Sequence, residues 1–444
     1  MFMKILFISL GCDKNLVDTE YMLGLLSSKG HSMVDDENLA EAVVINTCCF
    51  IHDAKEESIQ SILEMAELKK NNQIKALIVT GCLAERYKEE VMKEIPEVDV
   101  LLGTTAYDKI LEALDEIVLG TTGTMKMTDI DYLPRVDVKR LVTTGGHFAY
   151  LKIAEGCDKH CTYCIIPKVR GKYRSVPLEP LLAEAQELAE QGVKELILVA
   201  QETSLYGYDL YGNKKLPELL RELCQIQGFM WIRILYCYPE EITPELIAVI
   251  KEEPKICNYL DLPIQHANDE ILKRMGRRTS KSQLEKIIHT LRKEIPDIAL
   301  RTTLITGFPG ETSKQHEEMM QFVDEMEFDR LGVFTYSPEE DTPAALMDYQ
   351  IDEEVKENRQ EDLMELQQDI AFDTAQERVG EELLVMVEGK VADENAYVGR
   401  TYRDAPNIDG LIFIQTGEEL VSGDFVRVKV TGCLEYDLIG EIIS

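Results

Sequence analysis

The sequence has 444 residues, which at about 100–200 residues per domain calls for two to four domains. Hydrophobic residues make up 45 % and charged residues 29 %, an ordinary globular balance, but 81 acidic side chains oppose 47 basic ones for a formal charge of −34. That excess excludes a chain gripping nucleic-acid phosphate along its length and favours a basic partner. No apolar run approaches the roughly 20 residues of a membrane span, so no membrane partner is expected. Met1–Cys12 reads as a first strand rather than a secretion signal, because its apolar stretch is short and no small-residue cleavage site follows. Eleven cysteines then point away from a disulfide scaffold. They indicate metal or redox chemistry in a reducing, cytoplasmic compartment.

Residues 1–140 alternate strand and helix. Apolar, β-rich runs at Ile5–Ser9, Ala42–Asn46, Ala76–Thr80 and Val98–Leu102 are followed by helical patterns at Leu16–Ser28, Ala54–Leu68, Ala84–Glu94 and Ala106–Leu119. Continuous apolar strands separated by helices predict an open parallel α/β sheet covered on both faces. Gly120–Gly146, rich in Thr, Gly and Asp, reads as a linker. Residues 141–345 resume the alternation. Strands are expected at Phe148–Ala154, Glu195–Ala200, Trp231–Leu235, Tyr259–Leu262, Ala299–Ile305 and Leu331–Tyr336. Helical patterns lie between them, at Leu178–Gln191, Pro217–Cys224, Pro244–Lys251, Lys281–Lys293 and Lys314–Met326. Six βα units fall short of a closed eightfold barrel and predict a partial (β/α)6 barrel. Residues 346–376 hold a linker helix within Asp352–Arg378, with Val355, Leu363, Leu366 and Ile370 on roughly one side. Residues 377–444 read as a small antiparallel barrel of oligonucleotide-binding type, with strands at Leu383–Glu388, Gly389–Ala392, Ala396–Arg400, Gly410–Ile414 and Phe425–Thr431.

Chemistry concentrates in the cysteines. Cys157, Cys161 and Cys164 form a C-x₃-C-x₂-C loop just after a strand. Three thiolates there can cap three irons of a [4Fe–4S] cube and leave the fourth open. Zinc usually takes four ligands in paired elements, and no partner pair follows at that spacing. Cys12, Cys48 and Cys82 each follow one of the first three predicted strands. Ends of neighbouring parallel strands open on one crevice, so these three converge as candidate ligands of a second cluster. Cys49 adjoins Cys48 but points elsewhere. Cys224, Cys237, Cys257 and Cys433 lack ligand spacing and read as core thiols.

The C-x₃-C-x₂-C loop after the first strand of a half-barrel resembles the radical S-adenosylmethionine (SAM) enzymes. There, the resemblance implies, the open iron chelates SAM and one electron cleaves it to methionine and a 5′-deoxyadenosyl radical. Two three-cysteine sets in this order, then a small β-barrel, look like the methylthiotransferase family over essentially the whole chain. Ser9-Leu10-Gly11-Cys12-Asp13-Lys14-Asn15-Leu16-Val17-Asp18-Thr19-Glu20 is similar to the branch that modifies ribosomal protein S-twelve. Further matches are Asn46-Thr47-Cys48-Cys49-Phe50, Ala200-Gln201-Glu202-Thr203, Tyr259–His266 and Thr306-Gly307-Phe308-Pro309-Gly310-Glu311. Position 202 is Glu where the branch usually has Asp.

The resemblance implies two [4Fe–4S] clusters and SAM used as both methyl donor and radical source. It also implies an aspartate β-carbon of ribosomal protein S-twelve as target, and a low-potential electron donor of flavodoxin or ferredoxin type. Candidate SAM contacts are Tyr163, Ile166, Glu202 and Gly307. The C-terminal barrel resembles a TRAM domain, so a modified adenosine next to the tRNA anticodon is the alternative substrate. Charge decides for the ribosomal protein, free or in the small subunit. Glu377–Ser444 holds six basic against fourteen acidic residues, net −8, which is poorly suited to phosphate, so nucleic acid is not the primary partner. Lys159, His160, Lys168, Arg170, Lys172 and Arg174 form a basic island that either offsets cluster charge or is a solvated face. Gln265-His266 is open between an active-site role and a structural hydrogen bond.

Overall fold

The computed structural model describes residues 2–134, 138–392 and 395–443. They divide into two compact units. The first comprises the segment ending at Thr143, Lys152–Val176 and Ser337–Ala345; the second comprises Thr144–Leu151, Pro177–Tyr336 and the chain from Leu346 onward. No helix among these residues is long and apolar enough to cross a membrane.

The first unit is a six-stranded parallel sheet of β1 (Lys4–Ser9), β2 (Ser32–Val34), β3 (Ala42–Thr47), β4 (Ala76–Gly81), β5 (Val100–Leu102) and β6 (Thr124–Lys126), ordered β2-β1-β3-β4-β5-β6. Helices α1 (Asp13–Ser28), α2 (His52–Lys70), α3 (Cys82–Glu94) and α4 (Ile110–Val118) connect its strands. Every residue of β3 and β4 is buried, so both faces of the sheet are covered. Val43, Ile45, Leu77 and Val79 face one core, and Val44, Ala76 and Ile78 the other. Four strands were expected here and six occur. β6 lies inside the stretch read as linker; it pairs in parallel with β5, and its polar residues Thr124 and Lys126 hide it from pattern reading.

β7 (Phe148–Lys152) opens the sheet of the second unit, whereas the short antiparallel pair β8 (Ala154–Glu155) and β9 (Arg174–Ser175), with helix α5 (Ile166–Arg170), belongs to the first. The second unit continues with β10 (Glu195–Val199), β11 (Trp231–Ile234), β12 (Ile256–Gln265), β13 (Ala299–Thr306) and β14 (Arg330–Thr335), in the order β14-β13-β12-β11-β10-β7. Strands β10 to β14 pair in parallel, the open partial barrel expected of six βα units.

The helix Glu353–Glu377 follows, but its buried stripe is Lys356, Arg359, Leu363, Gln367, Ala371 and Ala375. Of the apolar face expected from the sequence only Leu363 is buried, and Val355 is exposed. The reason is hydrogen bonding. Lys356 Nζ donates to Tyr336 O (2.9 Å), Arg359 NH1 to Glu311 O (3.1 Å), Gln360 Nε2 to Val333 O (2.6 Å) and Gln367 Nε2 to Phe328 O (2.8 Å). Loop and strand-end carbonyls that burial would otherwise leave unpaired are met by polar side chains of the helix.

The chain ends in a closed barrel of β15 (Glu382–Lys390), β16 (Ala396–Thr401), β17 (Ile412–Gln415), β18 (Phe425–Cys433) and β19 (Leu438–Ile442). Five strands were expected, but their membership differs. Leu383–Glu388 and Gly389–Ala392 are not two strands: β15 runs unbroken to Lys390, with a register shift at Val387/Gly389. The fifth strand is β19. It pairs in parallel with β17, so the barrel is not wholly antiparallel. Within this unit Glu195 of β10 receives Arg233 Nε (2.7 Å) and Arg400 NH2 (2.6 Å), joining sheet to barrel by a fully buried ion triad.

Candidate active site

β1, β3 and β4 lie side by side, so their carboxyl ends open on one edge. The chain leaves β1 through Gly11 and Cys12, leaves β3 directly into Cys48, and leaves β4 into Cys82, the first residue of α3. Cys48 and Cys82 are buried and Cys12 is exposed. These thiols feel one another. Burial first, then the charges of Cys82 and Cys12, push the Cys48 thiol up to about 12. Gly11 has φ +83°, and a Cβ there would fall 2.8 Å from Cys48 Sγ, so the turn needs glycine. Ser58 Oγ fixes the turn after β3, accepting from Cys48 N and donating to Cys48 O, both at 2.9 Å. Cys49 lies in the apolar core on one face of the sheet.

The C-x₃-C-x₂-C loop belongs to the same unit. Gly156 (φ +79°) turns the chain into it, where a Cβ would meet Gly171 O at 2.6 Å. Cys157 N donates to Gly171 O (3.2 Å) and Cys164 N to Cys161 O (3.1 Å), while Thr162 O accepts from Ala344 N (2.9 Å). Cys157 and Cys161 are buried, and Cys164, Tyr163 and Ile166 are half-buried. Among the described residues no three His, Cys, Asp or Glu side chains close on a single metal ion.

The basic island divides. His160, Lys168 and Lys172 are exposed, but Arg170 is wholly buried. Its NH1 donates to Asp18 Oδ2 (2.8 Å) and Glu155 Oε2 (3.0 Å), and its NH2 donates to Asn15 Oδ1. Lys152 Nζ donates to Glu155 Oε2 (2.7 Å) and to Asp18 Oδ1. Burial alone would raise the Glu155 carboxyl, but Arg170 and Lys152 outweigh it and hold it well below the usual range. Asn15 Nδ2 donates to Leu10 O (2.9 Å) and Thr47 O (3.0 Å), just ahead of Cys12 and Cys48. The role of Asn15, Asp18 and Glu155 as the three partners of Arg170 and Lys152 was missed from sequence. The signal available was the Cys12-x₂-Asn15-x₂-Asp18 spacing, which places one residue per helical turn along α1.

In the second unit Glu202 is fully buried, and its Oε1 accepts from Ser204 N (3.0 Å) and Ser204 Oγ. Gly307 has φ +68°, and the stem of Lys356 lies against the place of its missing side chain. His266 Nδ1 accepts from Ala267 N and Asn268 N, both 2.9 Å, so the ring caps the end of β12. Burial first, then His316 and Arg359, push it down to about 3, so it stays neutral with its proton on Nε2. Glu311 Oε2 accepts from Gly307 N (2.5 Å) and Phe308 N (3.1 Å), and burial pushes its carboxyl up to about 7 against the pull of Arg359. The unfolded chain ionises Glu311 near 4.5, so its contribution to stability is lost as pH rises from there through about 7. Glu311→Gln is therefore expected to gain stability relative to the parent across that window, read from urea midpoints at about pH 5 and about pH 8. Equal differences at both ends would refute it. Cys224, Cys237 and Cys257 are buried core thiols, and the half-buried Cys433 Sγ accepts from Gln376 Nε2 at 3.0 Å.

Three family models match in succession: "Uncharacterized protein family UPF0004" over residues 4–103, the Radical SAM superfamily over 151–323, and the TRAM domain over 379–443. A protein of Lachnoclostridium phytofermentans named ribosomal protein uS12 methylthiotransferase RimO is 65 % identical, spanning 99 % of this chain and 99 % of its own. The chain belongs to the uS12 methylthiotransferase family. A family member from Clostridioides difficile is 49 % identical over 99 % of both chains. Cys12, Cys48 and Cys82 fall in the first matched region of this methylthiotransferase chain, and Cys157, Cys161 and Cys164 in the radical SAM region. In fold alone it is similar to a radical SAM methyltransferase, TsrM of Kitasatospora setae, with TM-score 0.56 at 14 % identity, covering 78 % of this chain and 74 % of that one.

Proposed function

We propose that the chain is a methylthiotransferase that replaces a C–H bond on the β-carbon of an aspartate of ribosomal protein uS12 by C–SCH₃, using SAM as methyl donor and radical source. The observation that carries this reading is end-to-end similarity to proteins named for that activity, 65 % identical in the first case. On this reading the chain has four functional parts, 1–140, 141–345, 346–376 and 377–444, and works in the cytoplasm with a flavodoxin- or ferredoxin-type electron donor.

Cys157, Cys161 and Cys164 would hold the SAM-chelating [4Fe–4S] group. The chemistry that group supplies when bound is one-electron cleavage of SAM, which no acid–base side chain performs. Tyr163, Ile166, Glu202 and Gly307 are assigned as SAM contacts, with the Glu202 carboxylate suited to the SAM ammonium. Cys12, Cys48 and Cys82 would hold a second [4Fe–4S] group with one iron open to sulfur. Their fit lies in the donor set: three thiols stand on neighbouring strand ends, and the Cys48 thiol, raised by burial and by its two neighbours, is one that a positively charged iron group would favour as thiolate. Gly11→Ala should therefore lower iron in the reconstituted protein from about eight towards about four per chain. Undiminished iron would show that the Gly11 turn does not shape this set.

Charge supports the substrate. Two of the six basic residues of the C-terminal segment, Arg400 and Arg403, are buried in ion pairs with Glu195, Glu388 and Asp329. Still less positive charge reaches its surface. A basic ribosomal protein complements that face, and its binding should weaken as salt screens the attraction. Mass spectrometry of uS12 and of tRNA from a strain lacking this gene tests the choice. Loss of the methylthio group from uS12 is expected; its loss from tRNA adenosine instead would overturn it.

A further inference from the structure

Arg170 is among the largest fully buried side chains, 1 % exposed, and lies six residues beyond Cys164. A buried guanidinium is costly unless its charge and donors are met. Asp18 and Glu155 face Arg170 and Lys152, so two carboxylates meet two cations and this quartet is neutral within itself. NH2 turns the other way, to Asn15 Oδ1, which is also 3.9 Å from Cys82 Sγ. The guanidinium is thus one side chain, Asn15, removed from Cys82 Sγ. A guanidinium holds its N–H donors in one rigid planar fork, so NH1 can stay on the carboxylates while NH2 is aimed at Asn15, a fixed geometry that a flexible ammonium lacks. Asn15 passes the restraint on by holding Leu10 O and Thr47 O, so one guanidinium is connected to all three cysteine turns.

We propose that Arg170, acting with Asn15, is a positioning residue for the Cys12/Cys48/Cys82 centre. It places a fixed positive charge beside the three thiolates and ties to them the segment that carries the other cysteine set. This rests on the reading that those three cysteines hold an iron–sulfur group. A cation beside such a group favours its reduced, more negative state, so the reduction potential depends on residue 170 and on what neutralises it.

The test uses the full chain carrying Cys157→Ala, Cys161→Ala and Cys164→Ala as parent, in which only the N-terminal set can bind. After anaerobic reconstitution, about four irons per chain are expected. Arg170→Gln should keep the iron but lower the reduced-to-oxidised ratio at fixed potential about tenfold, a shift of about 59 mV to the negative for one electron. Arg170→Lys, which keeps the charge, should titrate closer to the parent. Asp18→Asn, which removes a carboxylate from Arg170, should shift the potential in the opposite, positive direction. That reversal of sign is something a purely structural role does not produce, and it carries the test alone if Arg170→Gln proves unfolded by circular dichroism. Variants that retain iron and titrate as the parent does would overturn the role of Arg170 only. A parent that binds no iron would overturn the cluster assignment, and this inference with it.

Discussion

Alanine at Cys157, Cys161 and Cys164 together is expected to reduce 5′-deoxyadenosine release to background, because the side chains assigned to hold the SAM-cleaving group are gone. Alanine at Cys12, Cys48 and Cys82 should have a different effect. SAM cleavage should persist while methylthiolated uS12 disappears, because only the sulfur-bearing set is lost. Anaerobic reactions with SAM and a strong reductant, followed by chromatography of nucleosides and mass spectrometry of uS12, separate the two. The distinction holds because the two sets sit on separate pieces of chain: one on three strand ends, the other on a single loop. Normal product from the second variant would reduce Cys12, Cys48 and Cys82 to packing residues.

The largest stability effect is expected at Glu195. Burial would raise this carboxyl, but Arg400 and Arg233 hold it down, so it is ionised between two buried guanidinium groups. Glu195→Gln keeps the shape and removes the charge. Arg233 then loses its carboxylate partner and retains only neutral carbonyl acceptors such as Tyr402 O (2.7 Å). Removing one partner of a buried ion pair costs about 3–5 kcal/mol, most of it the charge left uncompensated. Urea unfolding followed by circular dichroism should show a loss of that order. A loss under about 1 kcal/mol would mean that water reaches the triad.

What the sequence made legible follows from how each element is buried. β3 and β4 are buried along their whole length and read as unbroken apolar runs, so both were located to within a residue of their ends. β2 and β6 are three residues each, half-exposed and partly polar, and no periodicity can reveal them. β19 is short and contains Gly440 and Glu441, which mimic a turn. Cys12, Cys48 and Cys82 were readable because each stands at the end of a strand, and Cys157, Cys161 and Cys164 because their spacing lies within one loop; both are local patterns. Arg170 was not readable. Its partners lie 15, 152 and 155 positions away, and only the folded sheet brings them to it. The helix Glu353–Glu377 shows the same limit: its direction and length were legible, but its buried stripe depends on which carbonyls the neighbouring strands leave open.

That helix has a consequence for any shortened form of the protein. β14 is the last strand of its sheet, with one side unpaired by any other strand. A bare strand of this kind recruits strands from other molecules and seeds aggregation. Here the helix packs along β14, and Gln360 occupies the Val333 carbonyl that an incoming strand would need. The connector to the barrel therefore doubles as a guard against intermolecular pairing. A chain cut before Glu353 would lose that guard together with the barrel, and would self-associate through β14. Its insolubility would then be mistaken for a need for the barrel in folding, whereas a cut placed after Glu377 keeps the strand covered and isolates what the barrel itself contributes.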